Sequence, residues 1–158
     1  MSTNDETCCP RFDPAPWDGT TIIWQGKRFM QDRVTSLFHI PLNYSAVMAR
    51  MDDAISAAGA KLDAPVMVTD ENSLWGADVY VEVSKDVPAA KMVTISGTFM
   101  CKVFEGPYSQ IGSWVESVKA WLTSEGKTSS KLYFYYTTCP KCQKKYGKNY
   151  VVLLAQIA

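Results

Sequence analysis

A carboxylate and a tyrosine lie two positions apart in an alternating segment of the sequence, residues 77–84. Valines alternate there with polar and aromatic residues, as Val79, Val81 and Val83 against Asp78, Tyr80, Glu82 and Ser84. Because side chains on a strand alternate between two faces, the pattern predicts Tyr80 and Glu82 on the face opposite the valines. A carboxylate there can balance a cationic ligand, orient an attacking water as a base, or be an ordinary solvated residue. Glu82 is our candidate catalytic residue.

The chain is rich in aromatic side chains, with 5 Trp, 8 Tyr and 6 Phe among 158 residues. A second alternating segment, 132–136, predicts Tyr133 and Tyr135 on one face and Leu132, Phe134 and Tyr136 on the other. Flat, rigid rings are typical of a concave site for a planar, largely apolar ligand. Each ring could equally be an ordinary strand or core residue. The candidate ligand contacts from these segments are Trp75, Tyr80, Tyr133 and Tyr135.

The cysteines suggest a metal site. Cys139 and Cys142 form a Cys-x-x-Cys pair, which is half of a structural zinc site, and Cys8 and Cys9 could complete it. The alternative is two free thiols around a turn, and a redox pair is disfavoured because the motif does not open a helix. Cys101 lies in an apolar segment and is predicted to be a small buried residue.

Several classes of function are excluded or disfavoured. Sixteen basic residues balance sixteen acidic ones, so nothing favours a nucleic-acid or membrane partner. His39 is the only histidine and no Gly-x-Ser-x-Gly motif occurs, which argues against a nucleophilic triad. No glycine-rich phosphate loop is present. We expect no required cofactor, apart from the structural zinc that the cysteines could hold. The sequence shows neither a secretory-signal pattern at its start nor an apolar run of about 20 residues, as a membrane span needs. The number of cysteines is odd, which fits poorly with a set of disulfides. We therefore expect a cytoplasmic protein with reduced thiols.

The first half of the chain predicts an extension followed by one module. Residues 1–32 form the extension, with a hairpin over 20–30 that turns at Gly26. The module, 33–86, has a strand over 33–40, a helix capped by Asn43 or Ser45 and ended by Gly59, and strands at 65–69 and 77–84.

The second half repeats this order. A module at 91–158 has a strand over 93–104, a helix opened by Gly106-Pro107-Tyr108-Ser109 with Ser109 as cap, and strands at 131–138 and 149–157. An offset of 64 positions places Tyr44-Ser45 on Tyr108-Ser109, which indicates a duplication. We therefore predict an α+β fold of two tandem strand–helix–strand–strand modules with pseudo-two-fold symmetry. Its antiparallel sheet would carry helices on one face and a ligand groove between the modules. The alternative is an α+β domain of unrelated elements.

The segment Phe104-Glu105-Gly106-Pro107-Tyr108-Ser109-Gln110-Ile111, followed by Trp114 and Trp121-Leu122, resembles the GyrI-like small-molecule-binding family. The resemblance implies two such modules over about 33–158, with a ligand between them, and adds Phe104, Tyr108 and Trp114 to the candidate contacts. One GyrI-like subfamily hydrolyses cyclopropane-bearing DNA alkylators in an aromatic cage. Many relatives carry an acidic residue in the last strand, where this chain has Tyr150-Val151-Val152-Leu153-Leu154, which leaves Glu82 as the candidate.

These observations predict a protein that binds planar aromatic xenobiotics and hydrolyses strained alkylators, thereby protecting the cell. The alternative is a non-catalytic module that senses or sequesters such compounds. A third reading is a protein-interaction role through the same groove or through the lysine-rich loop that contains Lys144 and Lys145.

Overall fold

The computed structural model describes residues 12–37, 40–41, 43–62, 65–73, 75–88, 90–137, 147 and 149–158. The elements in chain order are β1 (Thr20–Leu37), β2 (Ile40–Pro41), α1 (Tyr44–Ala57), β3 (Met67–Ser73), β4 (Gly76–Glu82), β5 (Lys91–Glu105), a 3₁₀ turn (Tyr108–Gln110), α2 (Ile111–Ser124), β6 (Lys131–Tyr136) and β7 (Tyr150–Gln156). Antiparallel strands with two helices confirm the α+β class. The pseudo-two-fold relation and the groove stay predictions.

The chain divides into two compact units. Unit I is Ile23–Thr98, and unit II combines Phe99–Ala158 with the described part of Met1–Ile22. These boundaries fall within β1 and β5. The extension 1–32 and the modules 33–86 and 91–158 stay predictions. No helix in the described ranges is long and apolar enough to cross a membrane.

In unit I, helix α1 packs on one face of antiparallel strands in the order β2-β1-β4-β3. The core joins buried side chains from α1, β1, β4 and the loop after β4, including Val47, Met51, Ile55, Met30, Val34, Val79, Val81 and Val83. The helix stops where predicted, because Gly59 takes a φ of +66°, which favours glycine. The side chain of Asn43 does not cap the helix; its Oδ1 instead accepts a hydrogen bond from the Thr35 N–H at 2.7 Å.

In unit II, helix α2 packs on antiparallel strands in the order β6-β7-β5. Its core contains Trp114, Val118, Leu122, Met100, Phe134, Val151, Leu153 and Ala155. The predicted Ser109 cap is wrong: Gln110 is the N-cap and makes no side-chain cap hydrogen bond. The reason is the 3₁₀ turn, in which the Gln110 N–H donates to the Pro107 carbonyl and delays the start of α2.

The predicted hairpin over residues 20–30 is also wrong, because β1 is one strand of 18 residues. Gly26 does have a φ of +63°, but one residue with a positive φ does not reverse the chain. Its N–H donates to Ser96 Oγ at 2.7 Å. Pairing with β4 runs without interruption from Phe29 opposite Glu82 to Thr35 opposite Gly76.

Candidate functional site

The strands of unit II present aromatic rings on the face turned away from α2. Leu132, Phe134 and Tyr136 pack with α2, so Tyr133 and Tyr135 lie on the opposite face, as their alternation predicted. The register places Tyr133 beside Leu154 and Tyr135 beside Val152 on β7. The residues that share this face on β5 are Phe99, Cys101 and Val103.

Four half-buried rings meet at one end of this face, and we call Phe12, Trp17, Tyr135 and Tyr150 the ring cluster. Trp17 meets Tyr135 edge to face, with centroids 5.5 Å apart and planes at 73°. Phe12 meets Tyr135 at 5.9 Å and 81°, Tyr150 at 5.8 Å and 44°, and Trp17 at 6.5 Å. These separations lie in the range of favourable aromatic contacts. No local sequence pattern marks Phe12 or Trp17, because only tertiary contact brings them to β6 and β7.

Tyr133 is more enclosed than the ring cluster, with 5% of its surface exposed. Its ring meets Phe99 edge to face at 6.0 Å. The Lys131 ammonium lies 5.4 Å from the ring centroid on the same strand, which is within cation–π range. Tyr133 therefore shares the face of Tyr135 but offers little surface to a ligand.

Phe104 and Trp114 lie on the other side of the unit II strands, in the core beneath α2. Their rings stack with centroids 5.4 Å apart and planes at 14°. They are therefore separated by the sheet from Tyr133 and Tyr135. Tyr108 lies in the 3₁₀ turn before α2, and its side chain is outside the described part of the structure.

In unit I, Tyr80 and Glu82 lie on the face turned away from α1, as predicted. Tyr80 is 7% exposed and meets Phe29 edge to face at 6.4 Å. Both oxygens of Glu82 have partners: Oε1 accepts the Val66 N–H at 3.0 Å, and Oε2 pairs with Lys27 Nζ at 2.9 Å. A carboxylate offers about four acceptor positions, so a water molecule can still bind to either oxygen.

A row of charged residues that the sequence analysis missed crosses the same face of unit I. Arg33, Asp78 and Asp70 are consecutive register partners on β1, β4 and β3, and Arg33 Nη1 lies 3.0 Å from Asp78 Oδ1. The guanidinium covers Gly76, where an added Cβ would come within 2.8 Å of Arg33 Nη2 and 2.9 Å of the Val34 carbonyl. Asp78 was visible in the alternating segment, but only the register shows that it lies between Arg33 and Asp70.

Trp75 lies in the turn that connects β3 to β4, and 59% of its surface is exposed. An indole with this much exposed surface can meet a ligand or a partner, unlike the enclosed rings of Tyr80 and Tyr133.

Unit II also has an open depression of about 230 Å³ between α2 and the start of β6. Its floor is formed by the core residues Val118 and Leu122, and the hydroxyls of Ser129 and Ser130 line it. Both hydroxyls donate to backbone carbonyls, those of Lys131 and Gln156.

The predicted zinc ligands Cys8, Cys9, Cys139 and Cys142 lie outside the described residues, as does His39. Within the described part of the chain, no three His, Cys, Asp or Glu residues are grouped so that they could hold a metal ion. Cys101 is a buried free thiol on the strand face that carries Tyr133, and burial raises its pKa to about 12.

The amino-acid sequence matches one protein family over almost its whole length, residues 1–157. The chain belongs to the Bacterial hydrolase family. No curated protein matches this member of the family.

Solved structures are similar to this Bacterial hydrolase family member in fold. The C-terminal domain of EcmrR has a TM-score of 0.71 at 10% identity, over 90% of this chain and 98% of that chain. A hydrolase from Listeria innocua has a TM-score of 0.65 at 13% identity, over 88% and 91%. An uncharacterized conserved protein from Listeria innocua has a TM-score of 0.66 at 12% identity, over the same shares of the two chains. Together with the family match, these likenesses fit the GyrI-like fold family that the sequence resembles.

Proposed function

We propose that this protein is a hydrolase that binds planar aromatic small molecules and opens strained rings in them, with cyclopropane-bearing alkylators as the substrate class to test first. The family match and the hydrolase from Listeria innocua with a similar fold support the reaction type. The ring-lined face of unit II supports the substrate class.

The observation that carries the proposal is the ring cluster. Its four rings are half-buried, whereas core rings such as Phe29 and Phe99 have no exposed surface. Partly exposed rings held in edge-to-face and tilted contacts keep apolar surface available to a planar molecule. Each ring adds contact area at little entropic cost, because neighbouring rings already restrict its rotation.

Glu82 is the residue that we propose for the reaction. A water held by its carboxylate would attack a carbon of the three-membered ring and form a C–O bond. The C–C bond that joins this carbon to the conjugated ring system would break, its electron pair would pass into that system, and a proton of the water would pass to Glu82. The conjugated system would then take a proton from solvent and Glu82 would release its proton to solvent, so the net change is the addition of one water and the carboxylate is regenerated. Lys27, bound to the other oxygen, keeps the carboxylate oriented.

The proposal is tested by incubating the purified protein with a cyclopropane-bearing planar alkylator and quantifying the ring-opened alcohol. We expect turnover above buffer, a loss of about 100-fold or more for Glu82→Gln, as is typical of a lost general base, and a smaller loss for Tyr135→Ala. Glu116→Gln, an exposed position on α2, is the matched control and should keep full activity. If buffer alone opens the ring as fast as the protein does, the hydrolase proposal fails.

A second candidate function is binding without chemistry, which would sense or sequester the same compounds. The contacts of Glu82 favour it, because both carboxylate oxygens already bind groups of the protein itself. This function predicts that the compound binds tightly and is recovered unchanged. It also predicts that Glu82→Gln lowers the stability of the protein without changing the amount of alcohol formed.

A further inference from the structure

The described residues before β1, Phe12–Gly19, form a fixed turn. The N–H groups of Trp17 and Asp18 both donate to the Pro14 carbonyl, at 3.0 and 2.9 Å. The Thr20 hydroxyl donates to the Trp17 carbonyl at 2.6 Å, and Asp13 Oδ1 accepts the Ala15 N–H at 3.1 Å. Two prolines further restrict the backbone. We call residues 12–19 the N-terminal strap.

The strap is hydrogen-bonded to strand β5. Asp18 Oδ1 accepts the Val103 N–H at 3.0 Å, and the Gly19 N–H donates to the Cys101 carbonyl at 2.9 Å. Both β5 residues lie on the strand face that carries Tyr133 and Tyr135. The two hydrogen bonds therefore determine where the side chains of the strap lie on this face.

The strap supplies half of the ring cluster. Phe12 contacts both Tyr135 and Tyr150, and Trp17 contacts Tyr135, so each strap ring touches a ring of β6 or β7. All four rings keep part of their surface exposed. This exposed ring surface can be reached by a ligand, unlike Phe99, which lies on the same strand face and is fully buried.

We propose that the strap is part of the ligand site: Trp17 and Phe12 complete, with Tyr135 and Tyr150, a four-ring surface that selects flat fused-ring molecules over compact aliphatic ones. This inference rests on the binding part of the proposed function but not on the hydrolysis. A flat molecule can contact several ring faces and edges at once, whereas a compact cage touches few of them. Trp17 contributes the largest ring and hence the largest share of the contact.

The test compares two probes by isothermal titration calorimetry at pH 8. Acridine is a flat tricyclic molecule that is neutral at this pH, and 1-adamantanol is a compact cage. We expect acridine to bind the wild-type protein at least about tenfold more tightly than 1-adamantanol. Trp17→Ala should weaken acridine binding about tenfold, and Trp17→Phe, which keeps a flat ring, should restore most of the affinity. Trp121→Ala, on α2 at the other side of the unit II sheet, should bind as the wild type does.

A second readout separates ligand contact from a purely structural role of the strap. The protein has five tryptophans, and the indole N–H signal of Trp17 is the NMR peak that Trp17→Phe lacks. During an acridine titration this peak should shift, with a midpoint that matches the calorimetric Kd. A strap that only supports the fold would leave the Trp17 signal unmoved.

The outcomes distinguish the two proposals. If wild-type protein binds neither probe, the proposed binding function fails and the strap inference fails with it. If acridine binds but Trp17→Ala matches the wild type, or the Trp17 signal does not move, the binding function stands and the strap inference is overturned. Equal affinity for acridine and 1-adamantanol would overturn the claim of selectivity for flat molecules.

Discussion

The ion pair between Asp32 and Arg50 connects strand β1 to helix α1. Arg50 contacts both carboxylate oxygens, with Nε 2.9 Å from Oδ2 and Nη2 2.8 Å from Oδ1, and the Arg33 N–H donates to Oδ1 at 2.7 Å. Burial is the largest single influence on the pKa of Asp32 and raises it. The hydrogen bonds from Arg50 and Arg33 and the charge of Arg50 outweigh burial, so the pKa of Asp32 lies below its ordinary value of 3.8.

This pair predicts a pH-dependent contribution to stability. Because the pKa is lower in the folded state, the stabilisation is present above pH 3.8 and disappears as the pH falls through the folded-state pKa. Asp32→Asn should therefore lower Tm by a few degrees at neutral pH, and the difference from wild type should close below pH 3.8. Thermal unfolding followed by circular dichroism over a pH series measures both effects.

The control for this prediction is Asp52→Asn. Asp52 pairs with Lys61 at 3.3 Å, but both side chains are exposed, so the substitution should change Tm little at any pH. A Tm difference for Asp32→Asn that stays constant down to the lowest pH would contradict the role assigned to the ion pair.

At the scale of elements, each helix covers one face of its strands, and most side chains on the other face are buried as well, among them Phe99, Leu154 and Phe29. The spacing of apolar residues decides which side of helix α2 faces the strands. Trp114, Val118 and Leu122 recur every four residues, and all three are buried. Trp114 also stacks on Phe104 of β5, which fixes the helix to the strand. The candidate contacts Phe104 and Trp114 therefore stabilise the fold from the helix side.

Substitution of Trp114 should be costly for stability. Trp114→Ala removes a buried, stacked ring and should lower the free energy of unfolding by about 3–5 kcal/mol. Trp121→Ala is the matched control on the same helix: the ring is only half-buried and contacts the Lys102 ammonium at 4.9 Å, so its loss should cost clearly less. Urea unfolding of the two variants gives the comparison, and equal losses would contradict the packing described for α2.

At the scale of the whole molecule, the described chain runs from unit II at Phe12 through unit I, Ile23 to Thr98, and returns to unit II at Phe99. Each unit has its own buried core beneath its own helix. The described part of the N-terminal segment therefore belongs to the same compact unit as the C-terminal strands. This connectivity is what allows the strap to contribute rings to β6 and β7.

The reactivity of the Cys101 thiol tests whether unit II is folded. Its thiol has no exposed surface, and its pKa of about 12 keeps it protonated at pH 8, so it should not react with iodoacetamide in the folded protein. In urea the thiol should become exposed and react. Peptide mapping by mass spectrometry quantifies the label at position 101, and rapid labelling without denaturant would contradict a closed core in unit II.

Much of the fold could be predicted because it depends on local periodicity. The alternation of 132–136 correctly separated Tyr133 and Tyr135 from Phe134, and the four-residue spacing of α1 identified its buried face. Gly26 shows the limit of this reasoning. A glycine within a strand and a glycine in a hairpin turn can have similar neighbours in the sequence. Whether the chain reverses depends on which strands the flanking residues pair with, and at Gly26 the strand continues.

The amino-acid sequence by itself determined the helices, most of the strands and the face that each side chain occupies, because these follow from covalent geometry over a few residues. Only the tertiary structure decided which distant residues meet. It paired Glu82 with Lys27, aligned Arg33 with Asp78 and Asp70, and brought Phe12 and Trp17 to Tyr135. Such contacts depend on strand register and on the path of the chain between the two units, which no short stretch of sequence encodes.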